Sequence, residues 1–391
     1  MHPSPSDITE SGIYLHIPFC KQACTYCDFY FETSRKHRGD FVDKLVEEIK
    51  FWSTSGFGND NIATIYFGGG TPSTLSHDEL NRIMEALYSG FKIQPNAEIT
   101  FEVNPDDITE EKLKSLKVSG VNRLSIGIQT FNASRLEFMN RAHTVDQAKN
   151  ALRLIQQADL KSWTADLIYG NPGQTADDLR SDIDQLLEFH PPHISAYTLT
   201  VEPHTRLGSM VRKKLIQPAE DEQVSEQMVL LKNRLKEAGI LQYEVSNYCK
   251  PGHESKHNSA YWEHKNYLGL GPSAHSFRWD ENKKQATRWN NEASLKNYLS
   301  NDFKGVSNSE ETLDLKTLAE ERLLTGLRTV KGVSFLELAD RYNYNVSNKQ
   351  KEYLTKLQKD EFIEQDSDTI VLTGAGHRIS DYITLELITR H

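Results

Sequence analysis

The chain of 391 residues carries 26% charged and 37% hydrophobic residues, the make-up of a folded globular protein rather than a disordered or membrane-spanning one. Lys and Arg total 45 against 55 Asp and Glu, and the net charge of −10 argues against a broad nucleic-acid-binding surface. No run approaches the ~18 apolar residues a spanning helix needs, and the polar start MHPSPSDITESG lacks an apolar signal core, so a cytoplasmic location is expected.

Along the chain, apolar β-rich runs alternate with segments of helical period. The expected strands are Ile13–Ile17, Thr64–Phe67, Glu98–Val103, Arg123–Ile128, Ser162–Ile168 and His193–Leu199. Between them Phe41, Leu45, Ile49 and Trp52 fall on one helical face, as do Leu80, Ile83, Met84 and Leu87. Ser76 with Glu79 and Thr144 with Gln147 read as capping boxes, and Gly120 as a helix end. Successive βα units imply an α/β fold with right-handed crossovers, curved into a partial (β/α)6 TIM-like barrel over residues 1–200. In such folds ligands gather at the carboxyl ends of the strands. From 201 to 309 the alternation loosens: a long helix is expected over Asp221–Ala238, followed by an aromatic- and His-rich stretch through Trp289. Residues 310–391 read as helices followed by the hairpin FIEQDSDTIVLT, a mainly helical, winged-helix-like domain. Its wing is acidic at Glu364, Asp366 and Asp368, which suits a packing or lid role better than DNA binding.

Cys20, Cys24 and Cys27 follow the first strand at its carboxyl end, in CxxxCxxC spacing. Thiolates are soft ligands that suit iron–sulfur clusters or zinc. Zinc asks for a fourth protein ligand, and His16 and Asp28 stand nearby, so a zinc knuckle is the alternative to a [4Fe–4S] cluster held by three thiolates with one iron open. The Gly68-Gly69-Gly70-Thr71-Pro72 turn follows Ile65-Tyr66-Phe67, and its glycines admit positive φ and close approach of a ligand. By itself it is equally a tight βα corner. Glu102, Gln129 and Asp166 sit near the ends of successive strands, and Arg141 follows. A charged group in a buried strand is costly unless it is paired or faces a site. Pairing with Arg123 or Arg141 is the structural alternative for Glu102 and Asp166.

Tyr14-Leu-His-Ile-Pro-Phe-Cys20, the CxxxCxxC loop and the Gly68–Pro72 turn together resemble the radical S-adenosylmethionine (SAM) superfamily. More narrowly they resemble its HemN/HemW group, over nearly the whole chain. The resemblance implies a [4Fe–4S] cluster on Cys20, Cys24 and Cys27, whose open iron is chelated by the amino and carboxylate groups of SAM. An electron from an external donor, passed through the cluster, then splits the sulfonium into methionine and a 5′-deoxyadenosyl radical. It further assigns Gly69, Gly70 and Thr71 to the methionyl group of SAM, and places Glu102, Gln129, Arg141 and Asp166 around the cofactor. Tyr14 and Tyr26 match positions flanking the cluster and adenine.

Two branches of the group differ in function: HemN is a coproporphyrinogen III dehydrogenase, whereas HemW binds heme and passes it on. HemN-type enzymes carry a further cysteine where this chain has Phe29, a long arm where about a dozen residues precede the first strand here, and a Gly-Met-Asp-His-Phe type segment where Tyr243–Tyr248 stands. The run His257-Asn258-Ser259-Ala260-Tyr261-Trp262 fits the HNxxYW pattern of HemW. Imidazole is a natural axial ligand for iron and aromatic rings pack on a porphyrin face, so His257, Asn258, Tyr261 and Trp262 are the expected heme residues. Taken alone, such a run reads as a loop packed on the core. Ser273-Ala274-His275 supplies a second candidate ligand or a wall of the SAM pocket, and Cys249 is an ordinary thiol, open to covalent attachment only if heme lies near it. The resemblance thus implies a heme chaperone carrying a [4Fe–4S] cluster, SAM and heme. Its implied partners are an electron donor and a heme-acceptor protein, such as a respiratory one at the membrane surface, with no nucleic acid and with a homodimer left open. Dehydrogenase activity is the alternative.

Overall fold

A computed structural model of the chain describes residues 10–303 and 309–390. Six strands, β1 (Glu10–Ile17), β2 (Asn61–Gly69), β3 (Lys92–Val103), β4 (Arg123–Gln129), β5 (Ser162–Tyr169) and β6 (His193–Thr198), lie side by side in chain order, each parallel to the next. The helices Arg38–Ser53, His77–Gly90, Glu110–Val118, Val145–Gln157 and Ala176–Leu187 make the crossovers. Both expected capping boxes form, at Ser76/Glu79 and Thr144/Gln147, and Gly120 takes the φ of +91° that ends its helix. The α/β sheet and the C-terminal helical region are as the sequence implies.

The period of two in a strand decides what each face does. Ile13, Leu15, Ile65, Phe67, Phe101, Leu124 and Ile126 point one way and join Leu80, Ile83 and Leu87 of the helices in the main core. The alternate positions are Tyr14, His16, Tyr66, Glu102, Arg123, Ser125 and Asp166. A parallel sheet covered by helices on both sides is apolar on both faces. Here the second face is polar, because the sheet curls around a space instead of packing on a second helix layer.

The loosely patterned stretch covers both edges of that curl. β7 (Leu241–Glu244) and β8 (Asn247–Cys249) add antiparallel beside β6. On the other edge β9 (Asn266–Leu270) pairs parallel to β1, and β10 (His275–Asp280), β11 (Gln285–Asn290) and β12 (Glu311–Leu313) extend the sheet antiparallel to twelve strands. Covering an edge removes its unpaired backbone groups. Between the two additions the chain passes through the short helix Lys256–Trp262, which lies at the amino end of the curl. Its first N–H groups, on Lys256 and His257, donate to the Glu98 carboxylate of β3 at 3.2 and 3.1 Å. An acidic group at a helix amino end satisfies donors that the helix itself leaves unmet.

The last part carries its own apolar cluster, including Leu318, Leu323, Leu338, Leu354 and Ile370. The helices Leu315–Gly326, Phe335–Tyr342 and Asn348–Lys359 pack with β13 (Val333–Ser334), β14 (Ile363–Asp366) and β15 (Thr369–Leu372). One acidic wing residue, Asp368, is structural. It accepts from Ser334 Oγ and from Leu336 N, fixing the start of the helix Phe335–Tyr342. No described helix is long and apolar enough to cross a membrane.

Candidate metal and cofactor site

The loop after β1 is held on both sides of its cysteines. Cys20 N donates to Glu32 O at 2.9 Å and Thr25 N to Met139 O at 3.1 Å. Gln22 Nε2 donates to Asn140 O, and Asn140 Nδ2 returns a bond to Ala23 O. Asn140 itself has φ +54°, a conformation that Asn tolerates better than most residues. The result is a loop whose three thiols, each partly exposed, face one cavity of about 730 Å3 at the carboxyl ends of the strands.

Sequence spacing and tertiary placement agree for most of the expected residues. Tyr26, Gly69, Gly70, Thr71, Glu102, Gln129, Arg141 and Asp166 line the same cavity as Cys20, Cys24 and Cys27. The glycine turn is tied to the cysteine loop through Gly70 N to Ile17 O and Thr71 N to Phe19 O, at 2.9 and 2.8 Å. Gly69 has φ +101°, and a Cβ there would stand 2.6 Å from the His16 ring, so both conformation and space require glycine. Thr71 Oγ1 points to Cys20 Sγ at 3.5 Å. Arg141 Nη1 approaches Cys24 Sγ at 3.4 Å, while Nη2 donates to Asn104 Oδ1 and Gly127 O.

Other expected residues lie elsewhere. Tyr14 does not reach the cavity wall; its ring stacks on that of Tyr66 at 6.0 Å, and Tyr66 takes the wall position. The two tyrosines are register partners on neighbouring strands, and Tyr14, on β1, stands one strand further from the cavity. His275 is exposed and stands clear of the cavity. Cys249 is buried in β8, where burial pushes its thiol up to about 12. His257 is buried with both ring nitrogens engaged, Nδ1 with Thr64 Oγ1 at 2.8 Å and Nε2 with Tyr261 OH at 2.9 Å. Its ring stacks on Tyr66 at 5.1 Å, and burial with the nearby Arg123 guanidinium lowers it to about 3, which keeps it neutral. In this conformation the HNxxYW run plugs the amino end of the curl. Among the wall residues that escape sequence reading are Tyr66, Asn104, Ser125 and Tyr197. Tyr66 and Ser125 share the inward pleat with Gly68 and Gly127, and that alternation was the available signal.

The donor set has a definite chemistry. His16 uses Nε2 on Tyr30 O and Nδ1 on Tyr14 OH, so it offers no free nitrogen as a fourth zinc ligand. The thiols surround a space, which suits a cluster whose irons occupy separate corners better than a single ion. Gln129 Oε1, Arg141 Nε and Asp166 Oδ1 are buried there without hydrogen-bond partners. Buried polar atoms are rarely left unmet, so a polar ligand fits them. Two carboxyls, a guanidinium, amides and tyrosine rings suit a molecule with a cation, hydroxyls and a flat ring.

Burial raises Glu102 to about 8, against a hydrogen bond from Tyr66 OH at 2.9 Å, and raises Asp166 to about 6. A carboxyl raised above its unfolded value stabilises the fold fully below about pH 4.3, and that contribution is lost as pH rises through the folded value. In the ligand-free chain Glu102 should therefore contribute a loss of thermal stability between about pH 5 and pH 8, set against the gain that buried neutral histidines such as His257 give up to about pH 6.5. Glu102→Gln should remove that loss. Melting curves across that range check it; an equal slope in the variant would assign the effect to other groups.

Comparisons with known proteins bear on the family. Residues 14–186 match the Radical SAM superfamily and residues 313–379 the HemN C-terminal domain. The heme chaperone HemW of Lactococcus lactis is 32% identical over 374 residues, covering 95% of this chain and 96% of that protein. HemW of Bacillus subtilis is 32% identical over 375 residues, covering 95% and 97%. HemW of Escherichia coli is 36% identical over 268 residues, covering 68% and 69%. The solved structure of the coproporphyrinogen III oxidase HemN from Escherichia coli matches with a TM-score of 0.82 at 23% identity, covering 98% of this chain and 91% of that one. That likeness speaks for the fold.

Proposed function

Because the chain belongs to the HemW family of radical SAM proteins, we propose that it is a heme carrier that holds one [4Fe–4S] cluster and SAM and delivers heme to an acceptor protein. The observation that carries the cofactor half is the meeting of Cys20, Cys24 and Cys27 with Gly69, Glu102, Gln129, Arg141 and Asp166 around one cavity. When bound, the cluster supplies an electron and an iron with an open position. The chain's own groups divide the remaining work. Arg141 and Thr71 aim donors at Cys24 and Cys20, favouring charged sulfur. Gly69 and Gly70 would leave the backbone open to the amino-acid end of SAM, and Glu102 and Asp166 would supply acceptors for its ammonium and hydroxyls. Tyr26, Tyr66 and Tyr197 wall the space against water.

The heme half rests on the HNxxYW run at His257–Trp262 and on the name that the Lactococcus and Bacillus relatives bear. A neutral His257 is the protonation state that iron ligation needs. The partners in this reading are a heme-acceptor protein, such as a respiratory one at the membrane surface, and an electron donor for the cluster. The three sequence regions, 1–200, 201–309 and 310–391, serve as cofactor barrel, heme segment and covering domain. Anaerobic incubation with coproporphyrinogen III, SAM and reductant should give no decarboxylated product, while hemin titration should end near one per chain. Product formation would overturn the carrier reading in favour of a dehydrogenase.

A further inference from the structure

Residues 203–218, PHTRLGSMVRKKLIQP, carry Arg206, Arg212, Lys213 and Lys214 and no acidic residue, in a chain whose net charge is −10. The four cationic side chains are exposed, and none forms an ion pair among the described residues. A solvated basic run is ordinary by itself. Its place in the fold is not. Leu207 N, in the helix Arg206–Arg212, donates to Thr25 O of the cysteine loop at 2.8 Å, and the Leu207 side chain is fully buried. The basic segment is thus strapped to the loop that carries Cys24 and Cys27.

A second observation comes from the loop itself. Phe29 is 70% exposed, yet it lines the cluster cavity, and its backbone N–H donates to the Cys27 sulfur. An exposed aromatic residue therefore stands one hydrogen bond from a cluster ligand. Glu202, just before the basic helix, lines the same cavity, so the strap and Phe29 share one mouth. The acidic groups nearby are Asp28, Glu32, Glu137 and Glu202, of which Glu32 accepts from Tyr30 OH. Lys21 is spent on Asp106 and Asp107. Arg35 and Lys36, exposed and likewise without an ion pair, follow the cysteine loop, so free cations outnumber the acids there.

Resting on the cluster half of the reading above, we infer that this mouth, from Phe29 to the basic segment Arg206–Lys214, is the docking face for the protein that reduces the cluster. The partner is a small one-electron carrier whose surface is acidic around its own redox group. One electron leaves the carrier and one enters the cluster; no proton or group passes between the chains. Redox encounters bury little area, and opposite charge guides them more than apolar contact does. Attraction between the basic strip and an acidic partner raises the rate of encounter and fades as salt screens it. Aromatic residues are favoured at interface centres, and Phe29 takes that place beside the ligand sulfur. An anionic membrane would also attract the cations, but it gives no reason for an exposed ring at Cys27 or for a strap onto the cysteine loop.

Lys213→Glu with Lys214→Glu, and separately Phe29→Ser, alter exposed side chains and leave the Leu207–Thr25 and Phe29–Cys27 backbone bonds in place. The donor for the cluster-loaded chain is a reduced, acidic plant-type [2Fe–2S] ferredoxin, and photoreduced 5-deazariboflavin, small and uncharged, is the control. Loss of cluster absorbance driven by the ferredoxin should slow about tenfold in the double lysine variant and about threefold in the Phe29 variant. Added salt should slow the parent and hardly affect the double variant. Titration with oxidised ferredoxin, which involves no turnover, should show affinity falling by the same factors, while deazaflavin reduces all three chains alike. Equal ferredoxin rates and affinities in parent and variants, or a parent rate indifferent to salt, overturn the docking face and leave the cluster and the carrier reading standing. Loss of binding to phosphatidylglycerol vesicles with ferredoxin rates unchanged overturns it in favour of a membrane-facing strip. If the parent loads no cluster for deazaflavin to reduce, the cluster reading falls and the docking face falls with it.

Discussion

Cys24→Ser is expected to give a folded chain that holds no cluster and cleaves no SAM. The substitution exchanges a soft, easily ionised ligand for a hard hydroxyl, and two thiolates remain where the cluster needs three. The fold should survive, because the loop is anchored by bonds that the change does not touch: Thr25 N to Met139 O, Gln22 Nε2 to Asn140 O and Asn140 Nδ2 to Ala23 O. Among the described residues the hydrogen bond to Cys24 Sγ comes from the Arg141 guanidinium at 3.4 Å, and that group keeps Asn104 and Gly127 as partners. Stability should stay within about 0.5 kcal/mol, as for a partly exposed position, while absorbance at about 400 nm disappears. Iron and sulfide analysis after anaerobic reconstitution checks the outcome. Full iron content in the variant would mean that the ligands are misassigned.

His257→Ala is expected to weaken heme uptake by tenfold or more, about 1.4 kcal/mol, with the cluster intact. It should also cost the fold about 3–5 kcal/mol, the range for removing a large ring from a core. The structure explains why both effects come together. The ring fills the space between Tyr66 and Tyr261 and satisfies the hydroxyls of Thr64 and Tyr261, so its loss leaves a void and two stranded polar groups. Among the described residues this ring's hydrogen-bond and ring partners are Thr64, Tyr261, Tyr66 and Tyr14, all outside the cluster loop, so iron and sulfide per folded chain should not change. Denaturant melts and hemin titrations on the same preparation separate the two effects. An unaltered hemin titration would place the iron ligand elsewhere and leave His257 as a plug of the amino end.

Local chemistry wrote much of this protein into its sequence. Strand pleats repeat every two residues and helix faces every three or four, so Ile13 to Ile17 or Leu80 to Leu87 reveal their element within a few positions. The same holds for Ser76 with Glu79, and for Cys20, Cys24 and Cys27, whose partners or spacing lie inside one turn or loop. What spacing could not carry was meeting at a distance. Glu98 receives the N–H of His257 from 159 residues away, and that contact, together with Lys256 N on the same carboxylate and Thr64 on the His257 ring, sets the HNxxYW helix across the amino end instead of beside the cluster. Tyr66, Asn104, Ser125 and Tyr197 became cavity walls because three separate strands and the turn after β3 curl toward one another. Periodicity reports which face of an element is buried; which elements share that burial is fixed by long-range strand pairing, and no short window of sequence contains it.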